Sequence, residues 1–122
     1  MNGGFVSTRG SDPVPLSQAL FTPLAPDGGL FVPASRPRIP WPPHDGQVPG
    51  GSSSDLRPVA RWVAPWLFPD LDPGDIESVA ESSLDFPVPL LEIEPGIWVL
   101  ELFHGPTLAF KDVGARFMAA LM

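Results

Sequence analysis

The run Glu101-Leu102-Phe103-His104-Gly105-Pro106-Thr107-Leu108-Ala109-Phe110-Lys111-Asp112-Val113-Gly114-Ala115-Arg116-Phe117-Met118 decides how the chain reads. Phe110, Val113, Gly114, Phe117, Met118 and Leu121 recur at i, i+3, i+4, i+7, i+8 and i+11, which predicts a helix with Thr107 as a candidate N-cap. Upstream, Leu90 to Glu94 and Ile97 to Phe103 are extended runs joined by the tight reversal Pro95-Gly96. Trp98 and Leu100 alternate with Val99 and Glu101, as in a partly buried strand. The apolar stripe still runs at Met122, with no Gly or Pro stop signal. Residues 90–122 are therefore expected to be the first strand–loop–helix of an α/β domain that continues beyond them.

Lys111 is the one lysine of the chain; the other six basic residues are arginines. It is expected in the first turn of the helix, where partial positive charge and unpaired N–H donors disfavour an ammonium. A neutral amine is what attack on an aldehyde requires, so Lys111 is a candidate Schiff-base residue. Spacing alone weighs more heavily for a surface lysine on the polar side of the helix. His104, taken alone, reads as a loop hydrogen-bonder before it reads as a catalyst.

Toward the N-terminus, Phe5 to Arg9 reads as a short strand closed by Gly10. Leu16, Ala19 and Leu20 suit a short helix with Pro15 at its first position and Pro23 beyond its end. Pro26-Asp27-Gly28-Gly29 is a turn, and Leu30-Phe31-Val32 a brief extended piece ended by Pro33. Residues 34–55 form a Pro/Gly/Ser-rich connector, stiff in its first half and flexible in its second. Its Arg38 to Pro43 portion is too degenerate to mark a proline-rich ligand. Val59, Trp62, Val63, Trp66 and Leu67 make a helical stripe that Pro65 should kink or shorten. Asp72-Pro73 caps a further helix whose Ile76, Val79, Ala80 and Leu84 face the core.

Composition narrows the function classes. With 122 residues the chain is one domain at most, and 18 Pro with 12 Gly make about a quarter of it. The absence of Cys removes disulfides, thiolate metal sites and cysteine nucleophiles, and two distant histidines leave no multi-histidine metal site. Net charge is −7, and every charge between Asp70 and Glu101 is acidic, so nucleic acid is a poor partner and the acidic run reads as a solvated face. No apolar run approaches the roughly 18 residues of a membrane span, and the start lacks a secretory pattern, so no membrane is expected and the cytoplasm is the expected location.

The run from Glu101 to Met118 closely resembles the lysine motif of the threonine synthase family. Two further blocks agree in order: Ser7-Thr8-Arg9-Gly10 and Leu24-Ala25-Pro26-Asp27-Gly28-Gly29-Leu30-Phe31-Val32-Pro33 resemble the family's opening segments. The resemblance implies an α/β fold, the N-terminal portion of a fold-type II, pyridoxal-phosphate-dependent enzyme. Residues 1–89 would be the N-terminal region, and 90–122 the incomplete start of the catalytic domain. It also implies that Lys111 bonds the cofactor pyridoxal 5'-phosphate, with Phe110 and Thr107 shaping the cofactor site. Asp112 and Arg116 would orient the helix. Asp27-Gly28-Gly29 reads as a turn rather than a site. The implied reaction converts O-phosphohomoserine and water to threonine and phosphate.

The family also needs a glycine-rich phosphate loop, a partner for the pyridine nitrogen and groups for the substrate phosphate. None is found before Met122. The 122 residues alone are accordingly expected to be inactive. Three other readings compete: a truncated, non-catalytic copy; a related phospholyase acting on another phosphorylated amino acid; and a small interaction module built on the Trp/Pro-rich middle.

Overall fold

The computed structural model describes residues 4–40 and 54–122. It begins with β1 (Phe5–Ser7), α1 (Leu16–Phe21) and β2 (Phe31–Pro33). β1 and β2 pair antiparallel, Phe5 opposite Pro33 and Ser7 opposite Phe31. Pro33 thus belongs to the strand rather than ending it, as a two-stranded ribbon allows at an edge. The expected strand through Arg9 stops at Ser7, where the chain turns and Gly10 takes a φ of +88°. Pro15 is the N-cap of α1 rather than its first residue, and Thr22, restricted by Pro23, is extended and ends the helix. The connector is described only at its two ends; residues 41–53, including the proline-rich Trp41 to Pro43, lie outside the described residues.

α2 (Arg57–Leu67) and α3 (Pro73–Ser83) follow. Pro65 does not shorten α2. It removes one N–H near the end of the helix, while the Phe68 N–H still closes the last turn on the Ala64 carbonyl at 2.8 Å. Asp72 caps α3 as expected, its carboxylate accepting from the Gly74 N–H at 2.8 Å. Ile76, Val79, Ala80 and Leu84 are all buried, joined by Phe86 and Val88. The acidic run is more than a solvated face. Arg57 donates to Glu81, and Arg61 to Glu77 and Glu81, across the α2–α3 seam, while Arg57 also holds Asp55 two residues before it.

β3 (Leu90–Glu94) and β4 (Ile97–Leu100) form an antiparallel hairpin through Pro95-Gly96, with Gly96 at a φ of +79°. The second strand ends at Leu100, not Phe103. Trp98 and Leu100 are 55% and 52% exposed, so the expectation of a partly buried strand fails. The reason is architectural: among the described residues no second layer packs on either face of the ribbon.

α4 (Lys111–Leu121) packs against α3. The Phe5, Phe68 and Phe117 rings stack in series, with centroids 6.5 and 6.1 Å apart, and join β1, the end of α2 and α4. Beside this stack an open apolar groove of about 710 Å³ runs between α1, α2 and α4, lined by Leu20, Val63 and Leu121 among others. Among the described residues no helix is long and apolar enough to cross a membrane, and no acidic or histidine cluster could hold a metal.

Candidate functional site

α4 starts at Lys111, later than the periodicity implies. Thr107 is therefore not its N-cap; Phe110 holds that position, without a side-chain cap bond. The cause lies in the preceding loop. The Leu108 N–H closes a turn on the Gly105 carbonyl, and Leu108 then adopts a φ of +59°, a left-handed conformation that no helix accommodates. The Thr107 side chain is already committed elsewhere, so it cannot cap.

That commitment is to Asp112. The Thr107 N–H donates to Asp112 Oδ2 at 2.9 Å, and the Thr107 hydroxyl to Asp112 Oδ1 at 2.7 Å. Asp112 is 4% exposed. Burial by itself would raise its carboxyl. The Thr107 hydroxyl and N–H, a backbone contact with Ala109 and the Arg116 charge outweigh burial and hold it below the usual aspartate value. Gly105 lies directly against this carboxylate: a Cβ there would fall 2.5 Å from Asp112 Oδ2. Gly105 does not have positive φ, so what it supplies is close approach.

Arg116, one turn further along α4, fixes the helix to α3. Its Nε donates to the Ser83 carbonyl at 2.9 Å, and its Nη2 to the Ser82 carbonyl at 3.2 Å and Asp85 Oδ1 at 2.6 Å. These carbonyls belong to the last turn of α3, which has no partners of its own for them. The guanidinium also lies 5.9 Å from the centre of the Phe86 ring. Arg116 thus makes the helix-orienting contacts expected of it, whereas the Asp112 side chain holds the preceding loop.

Lys111 faces outward, exposed and without a hydrogen bond or ion pair among the described residues. Phe110 and Leu108 beside it are 66% and 74% exposed. Of the three sequence-derived site residues, the structure leaves Lys111 and Phe110 open and turns the Thr107 side chain back onto the loop's own support. His104 meets Glu101, its Nε2 lying 2.6 Å from Glu101 Oε2, and its ring lies 4.6 Å from that of Phe103. This agrees with a loop hydrogen-bonding role.

The N-terminal blocks close on each other. The Ser7 hydroxyl donates to Asp27 Oδ1 at 2.7 Å, and the Gly29 N–H donates to the same oxygen at 2.9 Å. Arg9 returns the contact, its Nη1 donating to the Asp27 carbonyl at 2.9 Å. The Ser7 hydroxyl is the main reason the Asp27 carboxyl sits below its ordinary value, with the Gly29 N–H next. A Cβ at Gly29 would collide with the Ser7 hydroxyl. The segment is a structural clasp, as the turn reading expects.

Two connections escaped the sequence reading. The Arg57/Arg61 and Glu77/Glu81 pairs each have i, i+4 spacing, a signal that could have matched α2 to α3. The Thr107–Asp112 pair gave no signal, because the pattern made Thr107 the N-cap of the helix and left Asp112 within its first turns.

A mixed α/β scaffold thus presents the single lysine at the head of a helix, behind a loop locked from within. The family model described as threonine synthase N terminus matches residues 4–43. Threonine synthase of Pseudomonas aeruginosa is 31% identical over 136 residues, covering 97% of this chain and 26% of that protein. Threonine synthase of Haemophilus influenzae is 36% identical over 106 residues, covering 87% of this chain and 24% of that protein. The crystal structure of pyridoxal-phosphate-bound threonine synthase from Brucella melitensis superposes with a TM-score of 0.78 at 33% identity, covering 99% of this chain and 27% of that one. The chain belongs to the threonine synthase family and matches the N-terminal region of its members. It spans about a quarter of the length of these relatives.

Proposed function

We propose that this chain supplies the cofactor lysine of a threonine synthase, a pyridoxal-phosphate-dependent lyase of threonine biosynthesis. The reaction converts O-phospho-L-homoserine and water to L-threonine and phosphate. One observation carries the reading: the single lysine stands free and exposed at the head of α4, on a segment whose backbone is held from behind.

The residues fit the cofactor in kind. Lys111 offers an unengaged amine, and the exposed Phe110 offers an apolar face beside it. Thr107 contributes through the loop that it closes onto Asp112. When bound, pyridoxal phosphate supplies an electron sink for carbanion chemistry. The chain's own part is to hold the lysine and, once the amine is free, to carry protons on its Nζ. A biosynthetic role of this kind suits a cytoplasmic protein acting on a small-molecule substrate.

Incubation with pyridoxal phosphate, borohydride reduction and peptide mapping test the reading. Label at Lys111 is the expected result, and its absence at saturating cofactor refutes a cofactor role for this chain. No threonine is expected from O-phosphohomoserine with the 122 residues alone, because groups for the substrate phosphate are not found among them.

A further inference from the structure

We infer that Asp112 is a positioning residue, which sets Lys111 for condensation with an aldehyde by clamping the loop that precedes it. The inference rests on the cofactor-lysine reading above and goes beyond it, since it assigns the poise of the amine to a neighbouring carboxylate that points away from it.

Three observations converge. Asp112 follows Lys111 directly, yet its carboxylate is buried and turned toward the preceding loop, where it receives both the N–H and the hydroxyl of Thr107. Gly105 lies so close to that carboxylate that no side chain fits between them. The segment bridged by these contacts contains Leu108 at a φ of +59°, a conformation a bulky residue keeps only where its surroundings enforce it. The clamp is the contact that spans the strained residue, from Thr107 on one side to Asp112 on the other. Without it, Leu108 is free to relax to negative φ, and the four residues 107–110 can extend α4 backward. Lys111 would then sit a turn inside a longer helix rather than at its first residue.

Adjacent helical positions point about 100° apart, so the carboxylate does not act on the amine by direct contact. It acts through backbone placement. A reacting group held a fraction of an ångström off line loses rate steeply.

The test uses the 122-residue chain. Lys111 and the N-terminal α-amine are the two primary amines that pyridoxal phosphate and borohydride can label, so the second is an internal reference for the first. Rates are compared for the parent, Thr107→Val, Thr107→Ser and Asp112→Asn. Exchange of the Thr107 and Leu108 amide hydrogens is followed in parallel, and circular dichroism confirms helix content. Thr107→Val is expected to slow Lys111 labelling relative to the α-amine by roughly tenfold. Thr107→Ser, which keeps the hydroxyl donor, is expected to recover most of that loss.

Amide protection at Thr107 should fall in Asp112→Asn and Thr107→Val, with helix content retained. Equal labelling in parent and Thr107→Val, with amide protection lost, overturns the inference and leaves Lys111 as the cofactor residue. A parent chain that labels only at its α-amine removes the cofactor reading, and the inference with it. Should Asp112→Asn fail to fold, the Val and Ser variants at Thr107 still decide the matter.

Discussion

Replacing Gly105 by alanine tests the packing behind the lysine loop. An ideal Cβ at this position would lie 2.5 Å from Asp112 Oδ2, 2.7 Å from its Cβ and 2.8 Å from its Cγ. Ordinary carbon contacts are about 3.5–4.0 Å, so the carboxylate must retreat by roughly 1 Å. It cannot do so and keep its bonds. From starting distances of 2.9 and 2.7 Å, a shift of that size carries both Thr107 contacts past hydrogen-bond range. Overpacking of this sort costs about 1–3 kcal/mol. At roughly 2.1 cal/mol/K of unfolding entropy per residue, a chain of this length loses about 4 °C of Tm per kcal/mol, which gives a fall of about 4–12 °C.

Thermal unfolding followed by circular dichroism measures it, with two other glycines as controls. Gly114, inside α4 with nothing within 4 Å of where a methyl group would sit, should gain about 0.8–1 kcal/mol as alanine. Gly96, equally open but at a φ of +79°, should lose about 1–2 kcal/mol from backbone strain alone. The three substitutions thus separate contact, propensity and conformation. A Gly105→Ala chain that melts within a degree of the parent, with Thr107 still protected from exchange, would refute the argument.

Asp72→Ala removes the one side-chain cap of α3 and should cost about 1 kcal/mol, with Asp72→Asn losing much less; urea unfolding distinguishes them. Acid should weaken the fold in a defined direction. Asp27, Asp55 and Asp112 all sit below the ordinary aspartate value of 3.8 in the folded chain. The unfolded chain therefore binds protons first as pH falls, and the stability these groups contribute is complete above that value and drains away below it. The urea midpoint is expected to hold from pH 7 to about 5 and to fall below about 4, with a shallower fall in Asp112→Asn. A midpoint that rises on acidification would contradict the assignment.

Apolar periodicity carried much of the fold into view. Ile76, Val79, Ala80 and Leu84 appear in the sequence at helical spacing and are buried in the structure. Asp72-Pro73 signals the start of α3 through local chemistry that needs no tertiary partner. Periodicity failed where the deciding contact was polar and short-range. It carried α4 back to Thr107, because a stripe reports which side of a segment is apolar and is blind to the φ of Leu108. It also could not foresee the exposure of Trp98 and Leu100, which depends on whether a second layer covers the ribbon. At Pro65 the local rule was sound, but Pro65 lies two residues before the end of α2, so little helix follows it to be redirected.

The lysine motif becomes intelligible once its residues are sorted by helical angle. Asp112 and Arg116 are four apart and share one side of α4. Asp112 reaches back from that side to hold the loop, and Arg116 reaches across to hold the end of α3. Lys111 is about 100° away from Asp112, so fastening the one direction leaves the other exposed. A lysine shifted by one residue, into position 112, would enter the space behind Gly105 and lose its access to solvent. The order lysine then aspartate is therefore a consequence of geometry. The reversed pair, Lys111→Asp with Asp112→Lys, should abolish labelling of the lysine and leave that of the α-amine, even though charge and composition are unchanged.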